Sequence, residues 1–319
     1  MAKIYLHERR DFLDLIKIVA EEKGIDPYLI EKDYWIMHVL YGLKEQGFDF
    51  ELKGGTSLSK GYGIISRFSE DIDILINPPA DFKEKLWTGK NHTKELHIKS
   101  RVDYYQWLTD TITLSGIIEV KRDTEFDDIP KYFGGGVRLL YKSLTTRVEG
   151  PKEGILLEVG FDDVSPNQPI TISSWTYDSA VSNGIALIDN RALDIKCYNP
   201  EYTFVEKLQG IIRKFAQEQQ SGNINQNFLR QYYDVYELLG NQIVIDFLGT
   251  KEYLVHKERR FNQKERDMPL AENPAFDFSD QTLLNTYKKR YIKTKALYYN
   301  GQPSFEEIIG RIKKYLDRM

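Results

Sequence analysis

Asp71 and Asp73 lie two residues apart in SEDIDILI, alternating with Ile72, Ile74 and Ile76. On a strand, residues two apart share a face, so both carboxylates project one way and the isoleucines the other. Adjacent carboxylates on one sheet face repel each other and gain nothing from packing. A divalent cation between them removes that cost, and magnesium favours carboxylate oxygen while keeping positions open for phosphate. A solvated sheet face is the competing reading of so short a pattern. Upstream, KGGTS (53–57) places Gly54 and Gly55 between a strand and a helix, where backbone can approach a ligand without side-chain interference. Thr56 and Ser57 then offer hydroxyls and amides at a helix N-terminus, which favours phosphate. The G-x-x-x-x-G-K-[ST] spacing of a Walker loop is absent. A phosphate cradle just ahead of a metal-binding D-x-D is more specific than either part alone.

A third acid is found in ILLEVGF (155–161), where Glu158 shares a face with Leu156 and Gly160 while Leu157, Val159 and Phe161 face the core. Three carboxylates on neighbouring strands suit two magnesium ions, one activating a hydroxyl nucleophile and one holding a triphosphate. Pairing of Glu158 with Arg138 or Arg147 is the alternative, and Asp162 or Asp163 would be the ligand in another register.

These residues need a sheet and helices to hold them. Residues 9–22 read as an amphipathic helix, and Asp26-Pro27 opens a second that runs to about Gln46, with Leu29, Ile36, Leu40 and Leu43 on its buried stripe. Asp33 falls on that stripe beside Lys32, which suggests a buried or edge ion pair fixing the helix. Strands are predicted at FDFELK (48–53), 71–76, 117–123, 136–141, 144–149, 154–161 and 193–198, with a short helix from about Thr56, a helix over 101–115 and turns over 165–175. After Pro200, FVEKLQGIIRKF, FLRQYYDVYELL, IVIDFLGTKEYLVHKERRF, QTLLNTYKKRYIKTKALYY and FEEIIGRIKKYL repeat at three and four residues, predicting five helices in a bundle, with 268–280 as an extended loop. The fold class is α/β (α+β): a mixed-sheet domain over 1–200 and a helical bundle over 201–319.

The chain has 319 residues, 41% hydrophobic and 13% aromatic, enough for a sizeable core and against wholesale disorder. Its net charge of −4 gives no global attraction to nucleic acid or anionic membrane, although a basic cleft is compatible with it. A single cysteine, Cys197, excludes an intramolecular disulfide and any cysteine-based metal cluster, which suits a reducing cytosol. The charged start lacks a signal-peptide core and no apolar run is long enough to span a bilayer, so a cytoplasmic protein without membrane partners is expected.

The pattern G-G-T-S-L, followed by Arg67-Phe-Ser69-Glu-Asp71-Ile-Asp73, resembles the nucleotidyltransferase-fold toxins of the AbiEii/AbiGii (MenT-like) group, relatives of polymerase β. EKDYWIMHVL (31–40) is similar to that family's N-terminal helix, YTFVEKLQGIIRK (202–214) to its lysine-bearing helix, and RQYYDVYELL (230–239) to its later R-x-x-D-x-x-x-L motif. The motifs follow the family order from about residue 26 to 240. The resemblance implies a polymerase β-like minimal nucleotidyltransferase domain whose active-site cleft is completed by the helical domain. It implies that Gly55 and Ser57 bind nucleotide phosphate, that Ser69, Asp71 and Asp73 surround the metal, and that Lys207 and Asp234 take the roles of the family's lysine and later aspartate. Lys207 lies on the flank of the stripe Phe204, Leu208, Ile211 and Phe215; there it can offset triphosphate charge, or simply snorkel from a bundle surface. Asp234, among tyrosines, needs a partner: it can orient Lys207 or Arg230, or help deprotonate an acceptor. Two departures stand out. Glutamate occupies position 158 where polymerase β relatives usually carry aspartate, and Arg230 is further from Asp234 than in the family pattern.

His92 and His97 read as surface histidines, GGGV (134–137) as a turn before a strand or a flap, KERRFNQKER (257–266) as a solvated basic face, and Tyr232, Tyr233 and Tyr236 as bundle packing. The expected activity is magnesium-dependent transfer of a nucleotidyl group from an NTP to a hydroxyl. The resemblance adds tRNA 3′ ends or other RNA as acceptor, a toxin–antitoxin and abortive-infection setting, and a cognate antitoxin. Rival readings are transfer to a small molecule or a protein side chain, and a catalytically inactive nucleotide- or antitoxin-binding module.

Overall fold

Period-two burial builds the sheet, and a helix buried on every side braces it. The structure, a computed structural model, describes residues 3–146 and 152–319. Among these residues seven strands form one mixed sheet: β1 (Phe50–Lys53), β2 (Asp71–Ile76), β3 (Ile117–Asp123), β4 (Gly134–Tyr141), β5 (Ile155–Gly160), β6 (Asn167–Ile172) and β7 (Ala192–Tyr198). Their order is β3-β4-β5-β2-β1-β7-β6. β2 runs parallel to β5 and β1 parallel to β7, while the other neighbours are antiparallel. The two acids therefore sit on the central strand. Ile72, Ile74 and Ile76 are fully buried, whereas Asp71, Asp73 and Leu75 are half-buried on the opposite face.

The helix Pro27–Glu45 starts as its sequence predicts, with Asp26 accepting the Tyr28 N–H at 2.8 Å and proline in the first turn. It packs on β5 and β7 and is buried without interruption from Tyr28 to Leu40. The run Glu31-Lys32-Asp33 is thus inside the protein, and each charge must find a partner there. Glu31 accepts from the Leu144 and Thr145 N–H groups and from the Ser143 and Thr145 hydroxyls. Lys32 donates to Glu70 and to the Lys152 carbonyl. Asp33 pairs with Lys60 at 2.6 Å and accepts the Trp175 N–H at 2.9 Å. The expected buried ion pair is present, but its cation is Lys60 rather than neighbouring Lys32.

Several elements differ from the sequence expectation. The turn-rich reading of 165–175 gives way to edge strand β6, whose Gln168 and Pro169 are exposed and whose pairing with β7 is irregular. The strand expected at 144–149 is absent over 144–146, where Glu31 holds a loop, and 147–149 lie outside the described residues. A helix over Trp175–Ser182 was not anticipated, and the 101–115 helix runs instead over Glu95–Thr111. The glycines of GGGV stand inside β4 rather than in a turn. A Cβ at Gly135 would meet the Tyr105 ring at 2.6 Å, so the glycine makes room for an aromatic buried against the strand.

The chain divides into two compact units, Met1–Gly61 with Ser69–Tyr198, and Tyr62–Phe68 with Asn199–Met319. The second unit is helical: Pro200–Ser221, Arg230–Leu238, Gln242–Phe247, Lys251–Arg260, Gln281–Ile292 and Phe305–Lys313 are its main helices. The single helix expected over 243–261 is broken near Gly249, whose φ of +75° leaves the helical region. Tyr232 is surrounded by Phe228, Phe276, Phe278 and Phe305, and its hydroxyl donates to the Ala275 carbonyl at 2.7 Å. Tyr232 and Tyr233 are therefore core residues. In the basic run, Arg260 pairs with Glu206 and Arg266 with Glu258. No helix is long and apolar enough to cross a membrane among the described residues.

Residues 62–68 pack with the helical unit although they precede residue 200, which a single break near that position does not anticipate. The Phe68 N–H donates to the Leu297 carbonyl at 2.7 Å, the Tyr299 N–H to Ser66 at 3.2 Å, and the Ser66 N–H to the Tyr233 hydroxyl at 3.0 Å.

Gly135→Ala should cost about 1–3 kcal/mol through overpacking against Tyr105. Denaturant unfolding of the two proteins checks this, and equal midpoints would contradict it.

Candidate active site

β1 delivers the chain to Gly54 at a φ of +72°, the left-handed region in which side chains are strained. A Cβ there would fall 1.9 Å from Oδ2 of Asp73, so the Asp73 carboxylate lies directly against the Gly54 backbone. The chain continues as a short irregular helix over Gly54–Thr56 and Ser57–Gly61. The Thr56 hydroxyl donates to the Asp71 carbonyl at 2.5 Å, which ties this turn to β2. Lys60, at its far end, reaches buried Asp33 and lies over the Trp175 ring. The glycine turn and the aspartate strand are thus fastened together and to the central helix.

The hydroxyls predicted to face phosphate point elsewhere in this conformation. That of Thr56 is committed to β2, and that of fully buried Ser57 neighbours the Cys197 thiol. Burial pushes this thiol up to about 12 against the pull of Ser57, so it stays protonated. The Ser57 N–H donates to the Gly54 carbonyl. The turn therefore presents no row of hydroxyls: Gly55 is buried, and Gly54 lies against the Asp73 carboxylate. Ser69 is half-buried just ahead of β2.

Asp71 is the unusual group. Its Oδ1 is buried and has no hydrogen-bond partner. Burial first, then the nearby carboxylates Glu70 and Asp73, push its carboxyl up to about 6, while Lys32 and Lys152 oppose the shift. Glu70 is held by the buried Lys32 ammonium at 3.3 Å and by the Lys152 N–H at 2.8 Å. Burial lowers the Lys32 pKa, against the pull of Glu70 and Asp71. A buried oxygen without a partner, beside a second carboxylate on the same face, is a donor set that fits a divalent cation.

Glu158 is the register partner of Asp73 across the parallel β2–β5 ladder, and its own neighbour on β4 is Gly136. No three His, Cys, Asp or Glu side chains among the described residues are grouped to hold a metal ion, so Asp71, Asp73 and Glu158 do not form a ready-made triad. Two carboxylates suffice for magnesium, which usually completes its shell with water and phosphate. Of the alternative partners for Glu158, Arg138 is engaged by Asp123, and Arg147 lies outside the described residues. Asp162 pairs with Lys53 at 3.6 Å. His92 and His97 stack around Trp87.

The other residues predicted to serve the site, Lys207 and Asp234, lie in the helical unit. Asp234 is fully buried and accepts Arg67 Nε at 2.6 Å on Oδ1 and Arg67 Nη2 at 2.7 Å on Oδ2. Lys207 Nζ is 3.0 Å from the same Oδ2. Burial alone would raise the Asp234 pKa, but Arg67 and Lys207 together hold it below the usual carboxylate range. Asp234 is therefore an ionised hub for two cations and a poor proton acceptor. Of the roles open to it, orienting Lys207 is supported by this geometry. Sequence reasoning missed Lys60 as the partner of Asp33, and the pairings of Lys32 with Glu70 and of Arg67 with Asp234. Their signal was present: each is a cation in or beside an apolar run, with a buried acid to match.

The family model described as nucleotidyl transferase AbiEii toxin, type IV TA system, matches residues 38–311. No curated protein matches the sequence significantly. Among solved structures, the chain is similar to an antigenic nucleotidyltransferase-like protein from Paracoccidioides brasiliensis, at 13% identity and a TM-score of 0.35, over 74% of this chain and 90% of that one.

Two outcomes test the geometry. Gly54→Ala should lower activity about a hundredfold by displacing Asp73, with a stability cost of only about 1–2 kcal/mol; turnover and thermal unfolding of one preparation measure both. Asp71 takes up its proton near pH 6 in the folded chain, against roughly 3.9 when unfolded. With the folded value raised, ionisation costs stability progressively as pH rises from about 4 to 6, and the cost persists above. Asp71→Asn should therefore raise the Tm at about pH 8 without divalent cations, and not at about pH 4. A lower Tm at the higher pH would contradict an uncompensated carboxylate.

Proposed function

The chain belongs to the nucleotidyl transferase AbiEii toxin family of type IV toxin–antitoxin systems, and we propose that it moves an NMP from an NTP to the 3′-terminal hydroxyl of tRNA in a magnesium-dependent reaction. Membership makes it a nucleotidyltransferase toxin, with an NTP substrate and an antitoxin partner. The observation that carries the metal-dependent reading is the orphaned Asp71 oxygen beside Asp73, with the Asp73 carboxylate against the Gly54 backbone; the tRNA acceptor follows from the family resemblance.

In this reading Asp71 and Asp73 hold the cation, with Glu158 as a candidate further ligand. When bound, magnesium would supply electrostatic stabilisation of the phosphate oxygens and activation of the hydroxyl. Gly54 lets the Asp73 carboxylate sit against the backbone, since a Cβ there would fall 1.9 Å from Asp73 Oδ2, and the triphosphate is placed beside this turn. The acceptor oxygen forms a bond to the α-phosphorus as the bond to the β-phosphate oxygen breaks; pyrophosphate leaves, and the hydroxyl proton passes to solvent or a nearby base. Lys207 offsets charge on the triphosphate. Asp234 keeps that ammonium in place and takes no proton.

Incubation with each labelled NTP, magnesium and total tRNA tests the reading. Wild type should label tRNA at its 3′ end. Asp71→Ala should lose about a thousandfold or more, and Lys207→Ala about ten- to a hundredfold. Label on protein would overturn the RNA acceptor. Nucleotide binding without label from any NTP would favour an inactive binding module.

A further inference from the structure

The Asp234 hub raises a question of charge balance. A carboxylate paired only with Lys207 would cancel the ammonium, and a cancelled ammonium has little left to offer a phosphate. The fully buried acid has a second partner, the guanidinium of Arg67, which binds it through two parallel N–H···O contacts of 2.6 and 2.7 Å. Bidentate guanidinium–carboxylate pairing is the strongest and most directional of such contacts. The third arm of Arg67, Nη1, donates to the Phe68 carbonyl at 3.3 Å, so the guanidinium is engaged on all sides. The Lys207 side chain, 16% exposed, is the only member of the trio with substantial access to solvent, since Arg67 is 7% and Asp234 0% exposed. The three groups carry a net charge of +1, and the most accessible side chain among them is that of Lys207.

We propose that Arg67 is a positioning residue for the nucleotide: by neutralising Asp234 it leaves Lys207 both fixed in place and electrically uncompensated for the triphosphate. This rests on the reading of Lys207 given above and deepens it. Arg67 has a second attribute that suits the role. It belongs to Tyr62–Phe68, the segment bounded in sequence by the glycine turn that ends at Gly61 and by the stretch that begins at Ser69 and enters β2. The cation that sets the charge on Lys207 is therefore encoded between the two nucleotide-site motifs, on a segment docked to the helical unit through Ser66, Arg67 and Phe68.

The account makes an unusual demand: removing the acid should repair the loss of the arginine. Arg67→Met leaves Asp234 to cancel Lys207, and the KM for NTP should rise about tenfold or more, with a smaller change in kcat. Adding Asp234→Asn to that variant frees Lys207 again, and KM should return to within about threefold of wild type. Arg67→Lys, which keeps the charge without the fork, should fall between the two. Circular dichroism and Tm of each variant separate folding from function, and nucleotide binding to the folded fraction is measured with a non-hydrolysable NTP analogue and magnesium. Lys207→Ala serves as the control for the underlying reading. If it leaves KM unchanged, Lys207 does not serve the nucleotide and both readings fail. If Lys207→Ala raises KM but Arg67→Met does not, only the role of Arg67 is overturned. A double variant that stays as impaired as the single one also overturns it, because Asp234 would then be needed for itself.

Discussion

A carboxylate with one oxygen buried away from any donor is the constraint from which the sheet-bearing unit is best understood. Asp71 Oδ1 is in that position, next to Asp73 and behind Glu70. Three acids so close together would push apart a loosely built strand. They stay because the surrounding elements over-determine β2. Lys32 holds Glu70, Thr56 holds the Asp71 carbonyl, and the isoleucines on the reverse face are locked in the core. Each of these ties leads to the glycine turn or to the Pro27–Glu45 helix.

The helical unit solves the opposite problem. There a buried anion has an excess of cations, and the geometry decides which cation is consumed. The planar fork of Arg67 matches both oxygens of Asp234, while Lys207 makes a single contact on the outer side. Asp71 and Asp73 thus place negative charge beside the Gly54 turn, whereas the Arg67–Asp234–Lys207 trio carries net positive charge.

Much of this was legible in the sequence where period and chemistry coincide. The alternation in DIDILI fixed both the strand and the face of its acids, and Asp26-Pro27 marked a helix start because capping is local. What escaped depended on partners far along the chain. Arg67 and Asp234 are 167 residues apart, and nothing local to either says that they meet. Lys32 and Asp33 are neighbours in sequence but point to different partners, Glu70 and Lys60, because consecutive helical residues do not face each other. Edge strand β6 was hidden by its exposed Gln168 and Pro169, the latter a residue that strands tolerate chiefly at an edge. The Thr56 and Ser57 hydroxyls read as phosphate donors from their position, yet the fold turns one toward β2 and the other toward Cys197.

The central claim is that the Asp71–Asp73 face beside Gly54 is a cation–triphosphate site. Anomalous diffraction from crystals grown with manganese and a non-hydrolysable NTP tests it most directly. The account predicts a manganese peak in contact with both carboxylates, with the triphosphate lying over Gly54 and Gly55. Nucleotide bound with its metal elsewhere, and neither aspartate in the coordination shell, would contradict it.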